Sequence, residues 1–544
     1  MLGQMMDMPL LVSGAIDHAA AIHGTTEIVA RTIEGGLHRY SYASAAERCK
    51  KLSKALLRLG IAEGERVGSL AWNTHQHFEL FYGVPGAGAI LHTINPRLYD
   101  DDLVFIINHA QDRWLCVDGA TLPIAERIAP RLSNVRGWIF LGPNDAVPDT
   151  PLPGILSYEH LLRAETGEYA WPLLDERQAA NICYTSGTTG APKGVVYSHR
   201  STILSALLMS MADMIGGYRS GCLETVMPIA PLFHANGWQM PYTAPMNGHK
   251  LVLPGRNFEA EKLFELMAAE SVTIAAAVPT VWLSLVEFMR REGVRLPALR
   301  AALVAGTKAP RALIEDLEQG FGVTVAQTWG MTEAPGVLRT TLPPGVDDRP
   351  DAEKMTFKMC QGRIGYGNEL RIVDGDGVAQ AHDGKAIGYL EVRGACVAAG
   401  YYQQAAAVSD GWLATGDVAR IFANGCVEIV DRAKDVIKSG GEWISSVAIE
   451  NAALDHPDIQ QAAVIGIAHP RWQERPLLIA VRRAGTEVSE SDVIAYLRQR
   501  VASWWLPDSV IFVEALPMTA TGKVRKQVLR DQYRQLVSGS AQLR

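Results

Sequence analysis

Tyr184–Val195 reads YTSGTTGAPKGV. Ahead of it, Ala179–Tyr184 (AANICY) has the short apolar run of a buried strand; behind it, Val195–Tyr197 returns to strand-forming residues. The loop between holds three Gly, one Pro, four hydroxyl side chains and Lys193. Small residues let backbone N–H groups close on an anion, and hydroxyls and an ammonium add donors. The ligand that suits this composition is a polyphosphate. A Walker A loop is excluded, because there Gly-Lys is followed by Ser or Thr and a helix, whereas Lys193-Gly194 leads into apolar residues. Taken alone, such a loop reads as a surface hairpin; the rest of the chain supplies matching parts.

With those parts the loop resembles the phosphate-binding signature of the adenylate-forming enzymes: acyl-CoA synthetases, peptide-synthetase adenylation domains and luciferases. The likeness runs to Lys523 and so covers nearly the whole chain. It implies a large N-terminal α/β region (residues 1–430) and a small mobile C-terminal lid (residues 431–544).

The totals agree with an enzyme of this kind. The 544 residues suffice for several domains, and 48% hydrophobic with 20% charged residues is ordinary for a globular protein. A net charge of −7 gives no reason to expect nucleic acid or an anionic membrane as partner. The seven Cys are scattered, without a C-x-x-C pair, as in a cytoplasmic protein with reduced thiols. No apolar run reaches about 18 residues, so no membrane span is expected. The first residues, MLGQMMDMPLLVSG, lack the basic and apolar parts of a secretory signal.

Along the chain, Ala45–Leu59 has apolar residues at helical spacing, closed by Gly60. Arg66–Trp72 reads as strand, Phe78–Gly83 as helix, Ala89–Leu91 as strand, Tyr99–Ala110 as helix and Trp114–Val117 as strand. Strands alternating with helices predict a largely parallel α/β sheet. Leu342–Met355 is the most loop-like stretch of the large part. In the small part, Ser446 is the expected N-cap of a helix over Val447–Leu454. Strands over Ala462–Ile467, Leu477–Arg482 and Ser509–Val513 follow, with helices from Ser489-x-x-Asp492 to Val501 and over Lys523–Leu536. That makes a small α+β domain. From Arg432 onward the net charge is +3, against −10 for the rest, a mild bias that suits an anionic cofactor.

Val323–Glu333 reads VTVAQTWGMTE, a β-branched strand running into Thr328, Trp329, Gly330, Met331, Thr332 and Glu333. An aromatic beside Gly offers a flat face for adenine, Thr332 a hydroxyl for phosphate, and Glu333 the carboxylate oxygen that Mg²⁺ prefers. The family commonly has Tyr where Trp329 stands. On the resemblance, Thr185, Ser186, Gly187, Thr188, Thr189, Gly306 and Thr328 to Gly330 bind the nucleotide. Asp417 in GWLATGD would hold the ribose diol with one carboxylate, and Arg432 would reach the same sugar. Alone, an Asp after Gly is a turn residue. On the resemblance, the segment MPIAPLFHANGW would put His234 and Trp238 in the acyl pocket with Gly306 and Met331. A lone His near apolar residues is usually structural; the resemblance raises it to a pocket gate. Lys308, in VAGTKAP, departs from the family's small residues, and solvent is its expected surroundings.

Asp431 falls at the family's hinge. Lys438, Gly440, Gly441 and Trp443, in IKSGGEWIS, would present the lid to CoA. LPMTATGKVRK resembles the family's C-terminal lysine motif, which would put Lys523 on the catalytic position, where a mobile ammonium can bridge carboxylate and α-phosphate. Such a contact, realised mainly in the transition state, contributes about 3–4 kcal/mol. Lys193, Thr332 and Glu333 complete the expected catalytic set. The implied reaction is AMP-forming acid–CoA ligation with ATP, Mg²⁺ and CoA, a small carboxylic acid as partner and room for a homodimer. IKSGGEWISS, WWLPD and PLFHANGW resemble the short- and medium-chain branch, which includes methylthiopropionate ligases. The other readings are an aryl-acid ligase, an enzyme loading a separate carrier protein, and a non-catalytic nucleotide-binding protein.

Overall fold

The computed structural model describes residues 3–185, 191–211, 222–339, 342–404, 406–440, 442–518 and 524–533. Two seven-stranded sheets form the large part. The first runs Thr324–Gln327, Ala301–Val304, Ile274–Ala277, Thr225–Pro228, Lys250–Leu253, Glu27–Arg31, Leu37–Ser41. The second runs Leu156–Ser157, Gly137–Phe140, Asp112–Val117, Arg66–Leu70, Ile90–Thr93, Ala179–Thr185, Lys193–Ser198. In each, every pairing is parallel except that of the last strand, which closes one edge antiparallel. Parallel strands are covered on both faces and read as continuous apolar runs. Ile274–Ala277, Ala301–Val304 and Gly137–Phe140 are buried at every residue.

The helices between strands begin and end where local chemistry dictates. Tyr42–Arg58 starts at Ser41, whose side chain accepts from the Ser44 N–H, and stops before Gly60 at φ +79°. Helix Pro279–Glu292 lays fully buried Trp282 on the first sheet, its indole N–H donating to Leu303 O at 3.2 Å. Glu490–Leu497 carries the full capping box of Ser489 and Asp492. Two expectations are corrected. The helix after Gly441 is Ser446–Leu454 and its cap is Ser445, because the Ser446 hydroxyl is already committed to Asp431. The stretch read as loop, Leu342–Met355, gives way to helix Asp351–Lys358, whose first turn holds Asp351 and Glu353 at the positive end of the helix dipole.

A third, antiparallel sheet joins Asn368–Val373, Gly388–Gly394, Trp412–Ile421, Val408–Ser409 and Val427–Arg432. The next strand, Ile437–Ser439, belongs to a fourth sheet with Glu442–Ile444, Ile459–His469, Gln473–Arg482 and Ser509–Phe512. Sheet membership thus changes within residues 433–436. Among the described residues no helix is long and apolar enough to cross a membrane.

Burial holds three histidines neutral. His77, His199 and His249 are each pushed from 6.5 down to about 4 by desolvation. The His199 Nδ1 accepts the Val12 N–H at 3.3 Å, a bond that protonation removes. Each folded value lies below the free one, so the unfolded chain takes up protons first as pH falls. Their stability contribution is present above about 6.5 and lost as pH drops toward 4. Urea midpoints measured from pH 7 to pH 4 are expected to fall, and His199→Gln to flatten part of that fall; identical slopes would remove His199 from the account.

Candidate functional site

In open parallel sheets, ligands gather where strands end at their carboxyl termini. Several of the expected site residues emerge there. Thr185 closes strand Ala179–Thr185, and Thr328 follows Thr324–Gln327. Gly306 follows Ala301–Val304, and the His234 segment follows Thr225–Pro228. Cross-links hold these ends together although they belong to different sheets. The Cys183 thiol donates to Phe233 O at 3.6 Å, and the Tyr197 phenol, from the antiparallel edge strand, donates to Thr332 O.

One cluster is built on Asp417. Its carboxylate is buried, accepts the Trp329 indole N–H at 2.9 Å on Oδ2, and pairs with Arg432 Nε at 3.1 Å on Oδ1. Asp417 and Arg432 are register partners on neighbouring strands, which is why residues fifteen apart in sequence meet. Thr328 spends its hydroxyl on Leu338 O at 3.2 Å and its N–H on Val304 O. Gly330 is exposed beside Trp329 and Met331 forms a bridge with Ala334.

In a second cluster a cation and a carboxylate meet the same tyrosine, and among the described residues they form no ion pair with each other. Exposed Lys193 lies with its ammonium 4.7 Å from the centroid of the Tyr401 ring. The Tyr401 phenol donates to Glu333 Oε1 at 2.7 Å. Glu333 is buried, its backbone carbonyl accepts from Ala398 N–H at 2.8 Å, and Thr332 precedes it, half-buried. Tyr401 and Tyr197 were missed at the level of sequence: Tyr401 sits in a loop, where an aromatic carries no periodic signal, and Tyr197 reads only as a strand residue.

The acyl-pocket candidates lie on an unusual backbone. Ala235, Asn236, Gly237, Trp238 and Gln239 all have positive φ, from 33° to 63°. Left-handed conformation over successive non-glycine residues costs of order 1–2 kcal/mol each, so surrounding structure must hold it. Thr93 Oγ1 donates to the buried Asn236 Oδ1 at 3.1 Å, and Phe233 packs T-shaped on Trp72. His234 and Trp238 are half-buried, and Trp238 packs against the main core. Gly306 has φ +90° and is exposed; a Cβ there would lie 3.1 Å from Val278.

Lys308 corrects another expectation. It is not left to solvent: its ammonium pairs with Glu428 at 2.6 Å, on the strand Val427–Arg432, and Glu428 also meets Arg420. The pair ties the loop after Ala301–Val304 to the third sheet.

The expected lid residues lie elsewhere. Lys438 donates to the Tyr389 phenol at 3.2 Å, Trp443 packs 5.1 Å from the Tyr389 ring, and Gly440, at φ +62°, lies against Trp472. No described contact joins them to Lys193 or Glu333. Asp431 is buried and its Oδ2 accepts both the N–H (2.6 Å) and the hydroxyl (2.5 Å) of Ser446. Burial pushes its carboxyl up, against the opposing pull of Lys526. Lys526 itself bonds Ser446 Oγ at 2.6 Å and Glu450 at 2.7 Å. Ser186, Gly187, Thr188, Thr189, Gly441 and Lys523 lie outside the described residues.

Residues 16–402 match the family described as AMP-binding enzyme, and residues 448–523 the AMP-binding enzyme C-terminal domain. The chain is 44% identical to the 3-methylmercaptopropionyl-CoA ligase of Ruegeria pomeroyi, over 99% of this chain and all of the relative. It is 42% identical to the medium-chain-fatty-acid–CoA ligase of Ectopseudomonas oleovorans, over 98% of each. The solved anthranilate CoA ligase AuaEII, in complex with anthranoyl-AMP, superposes with a TM-score of 0.84 at 25% identity, covering 98% of this chain and 99% of that one.

Trp329→Phe keeps an aromatic face but removes the donor to Asp417. AMP affinity by calorimetry is expected to weaken about five- to tenfold, the worth of one hydrogen bond. Unchanged affinity would show that Asp417 needs no such holder.

Proposed function

The chain belongs to the family of AMP-binding enzymes and is an ATP-dependent acid–CoA ligase, and we propose that its acid is short or medium in chain, of the 3-methylmercaptopropionate class. The observation that carries this reading is likeness over the full length, large part and small part alike, to ligases for such acids. Half-buried Trp238, four residues along the chain from His234, supports a small apolar acid.

The reaction has two steps. The acid's carboxylate attacks the α-phosphorus of ATP, releasing pyrophosphate and giving acyl-adenylate. The CoA thiolate then attacks the acyl carbon and displaces AMP. The obstacle in the first step is one anion approaching another, and fixed donors lower it because they need no reorganisation as charge develops. In this reading Lys193, Lys523 and the donors of Thr185 to Thr189 face the phosphates. Asp417 and Arg432 hold the ribose, and Trp329 and Gly330 flank the adenine. His234, Trp238, Gly306 and Met331 line the acyl pocket.

Mg²⁺ is typically held by one or two carboxylates plus substrate phosphates, so buried Glu333, with Oε1 bonded to Tyr401 and Oε2 left over among the described residues, fits it. When bound there it would neutralise phosphate charge.

We place the division of the chain near residue 430, with residues 431–544 turning about Asp431 between the steps. Lys438, Gly440, Gly441 and Trp443 then meet CoA. The described cysteines are all unpaired and six of the seven are buried, which fits reduced thiols in a cytoplasm.

Lys523→Ala is expected to slow adenylation about 10²–10³-fold while leaving thioester formation from preformed acyl-adenylate nearly intact. Equal loss in both half-reactions would count against a lid with two positions.

The function itself is tested by pyrophosphate release from straight C2–C12 acids, branched C4–C6 acids, methylthiopropionate, benzoate and cinnamate, each with and without CoA. Turnover that needs CoA and peaks at C3–C8 or with methylthiopropionate is expected. A peak on the aryl acids would move the substrate class, and release indifferent to CoA would move the acceptor to a carrier protein.

A further inference from the structure

We propose that Tyr401 is a positioning residue for the adenylation step, one that keeps Lys193 and Glu333 from neutralising each other. The inference rests on the reading of Lys193 and Glu333 as the groups that meet ATP and its cation. Tyr401 touches both, the ammonium over its ring face and the carboxylate on its hydroxyl. Its neighbours are tied to the same two elements. Tyr402 N–H donates to Gly194 O at 2.8 Å, next to Lys193, and Ala398 N–H donates to Glu333 O at 2.8 Å. Ala398 and Tyr401 also pack on Cys183, Val195 and Tyr197, which lie on the two strands flanking the phosphate loop. The segment 398–402 therefore spans from the edge strand of the second sheet to the turn after the first.

The physical reason for such a strap is charge. Elsewhere in this protein, neighbouring Lys and Glu side chains close into ion pairs, as Lys308 does with Glu428 and Lys526 with Glu450. Among the described residues neither Lys193 nor Glu333 does so. Each instead meets a neutral tyrosine. A π face attracts an ammonium without cancelling its charge, and a phenol hydrogen bond fixes a carboxylate without supplying a counter-charge. With Oε1 occupied by the phenol, Oε2 is the oxygen left for a cation. Both charges so remain available to a substrate that brings charges of its own.

Tyr401→Phe keeps the ring and removes the hydroxyl; Tyr401→Leu removes both contacts. ATP binding by calorimetry, with Mg²⁺ and with EDTA, separates the cation-dependent part of the affinity. Tyr401→Phe is expected to lower the gain from Mg²⁺ ten- to hundredfold, the range of a hydrogen bond to a charged group. Affinity in EDTA should stay within about twofold for Tyr401→Phe and fall for Tyr401→Leu, where Lys193 loses its seat. The decisive comparison is made in a Glu333→Gln background, where Tyr401→Phe should have almost no further effect, because the two act through one bond. An undiminished, additive loss there would overturn the proposal, as would a Tyr401→Phe protein indistinguishable from wild type. A wild-type protein that gains nothing from Mg²⁺ would instead overturn the reading of Glu333 on which the proposal stands. Thermal midpoints of all variants exclude loss of fold as the cause.

Discussion

Parallel strands must all end on the same side of their sheet, and that constraint places everything else in this protein. Most connections return through a helix, the loop from Gly137–Phe140 to Leu156–Ser157 being an exception, so the loops leaving the carboxyl ends of the parallel strands gather on one rim. Two such sheets are present, and the rims cooperate. Thr185 leaves one sheet; Gly306, Thr328 and the His234 segment leave the other. The Cys183–Phe233 and Tyr197–Thr332 hydrogen bonds sew the two rims together. A nucleotide and an acid held there would draw on both sheets at once, a geometry that neither sheet offers alone.

The polar groups on that rim are handled in two different ways. Asp417 is buried and held from two sides, by Trp329 and Arg432, which fixes the direction of its carboxylate before any ligand arrives. An uncompensated buried carboxylate would cost several kcal/mol, so its partners are a condition of its being there. Lys193 and Glu333 are treated oppositely: both meet Tyr401, and among the described residues they form no ion pair with each other. The small part follows the first pattern. Asp431, Ser446, Lys526 and Glu450 form a chain of short bonds linking the strand that ends the third sheet to the helix Lys526–Tyr533. A change in the orientation of one member is felt by the rest, as expected of a buried polar network.

Much of the secondary structure was legible from residues alone. The alternation of apolar runs and helical spacings between Ala45 and Val117 predicts parallel α/β architecture, and that is the architecture found. Gly60 and the Ser489–Asp492 box mark helix ends through local sterics and hydrogen bonding, which need no tertiary information. Where reading failed, a longer-range partner had intervened. Ser446 has the chemistry of a cap, but Asp431 takes its hydroxyl and Ser445 caps instead. Lys308 looked like a solvent-facing lysine until folding brought Glu428, 120 residues away, within 2.6 Å.

By itself the sequence determined the class of fold, the order of the elements and the family to which the chain belongs, because periodicity, caps and a twelve-residue glycine- and hydroxyl-rich signature are local properties. The tertiary structure alone decided which charges meet and which are kept apart. Asp417 reaches Arg432 through strand register, and Tyr401 reaches Lys193 and Glu333 from more than sixty residues beyond the nearer of them. Coulomb and hydrogen-bond energies depend on separations of a few ångströms, and those distances exist only once two sheets and the segment bridging them have packed.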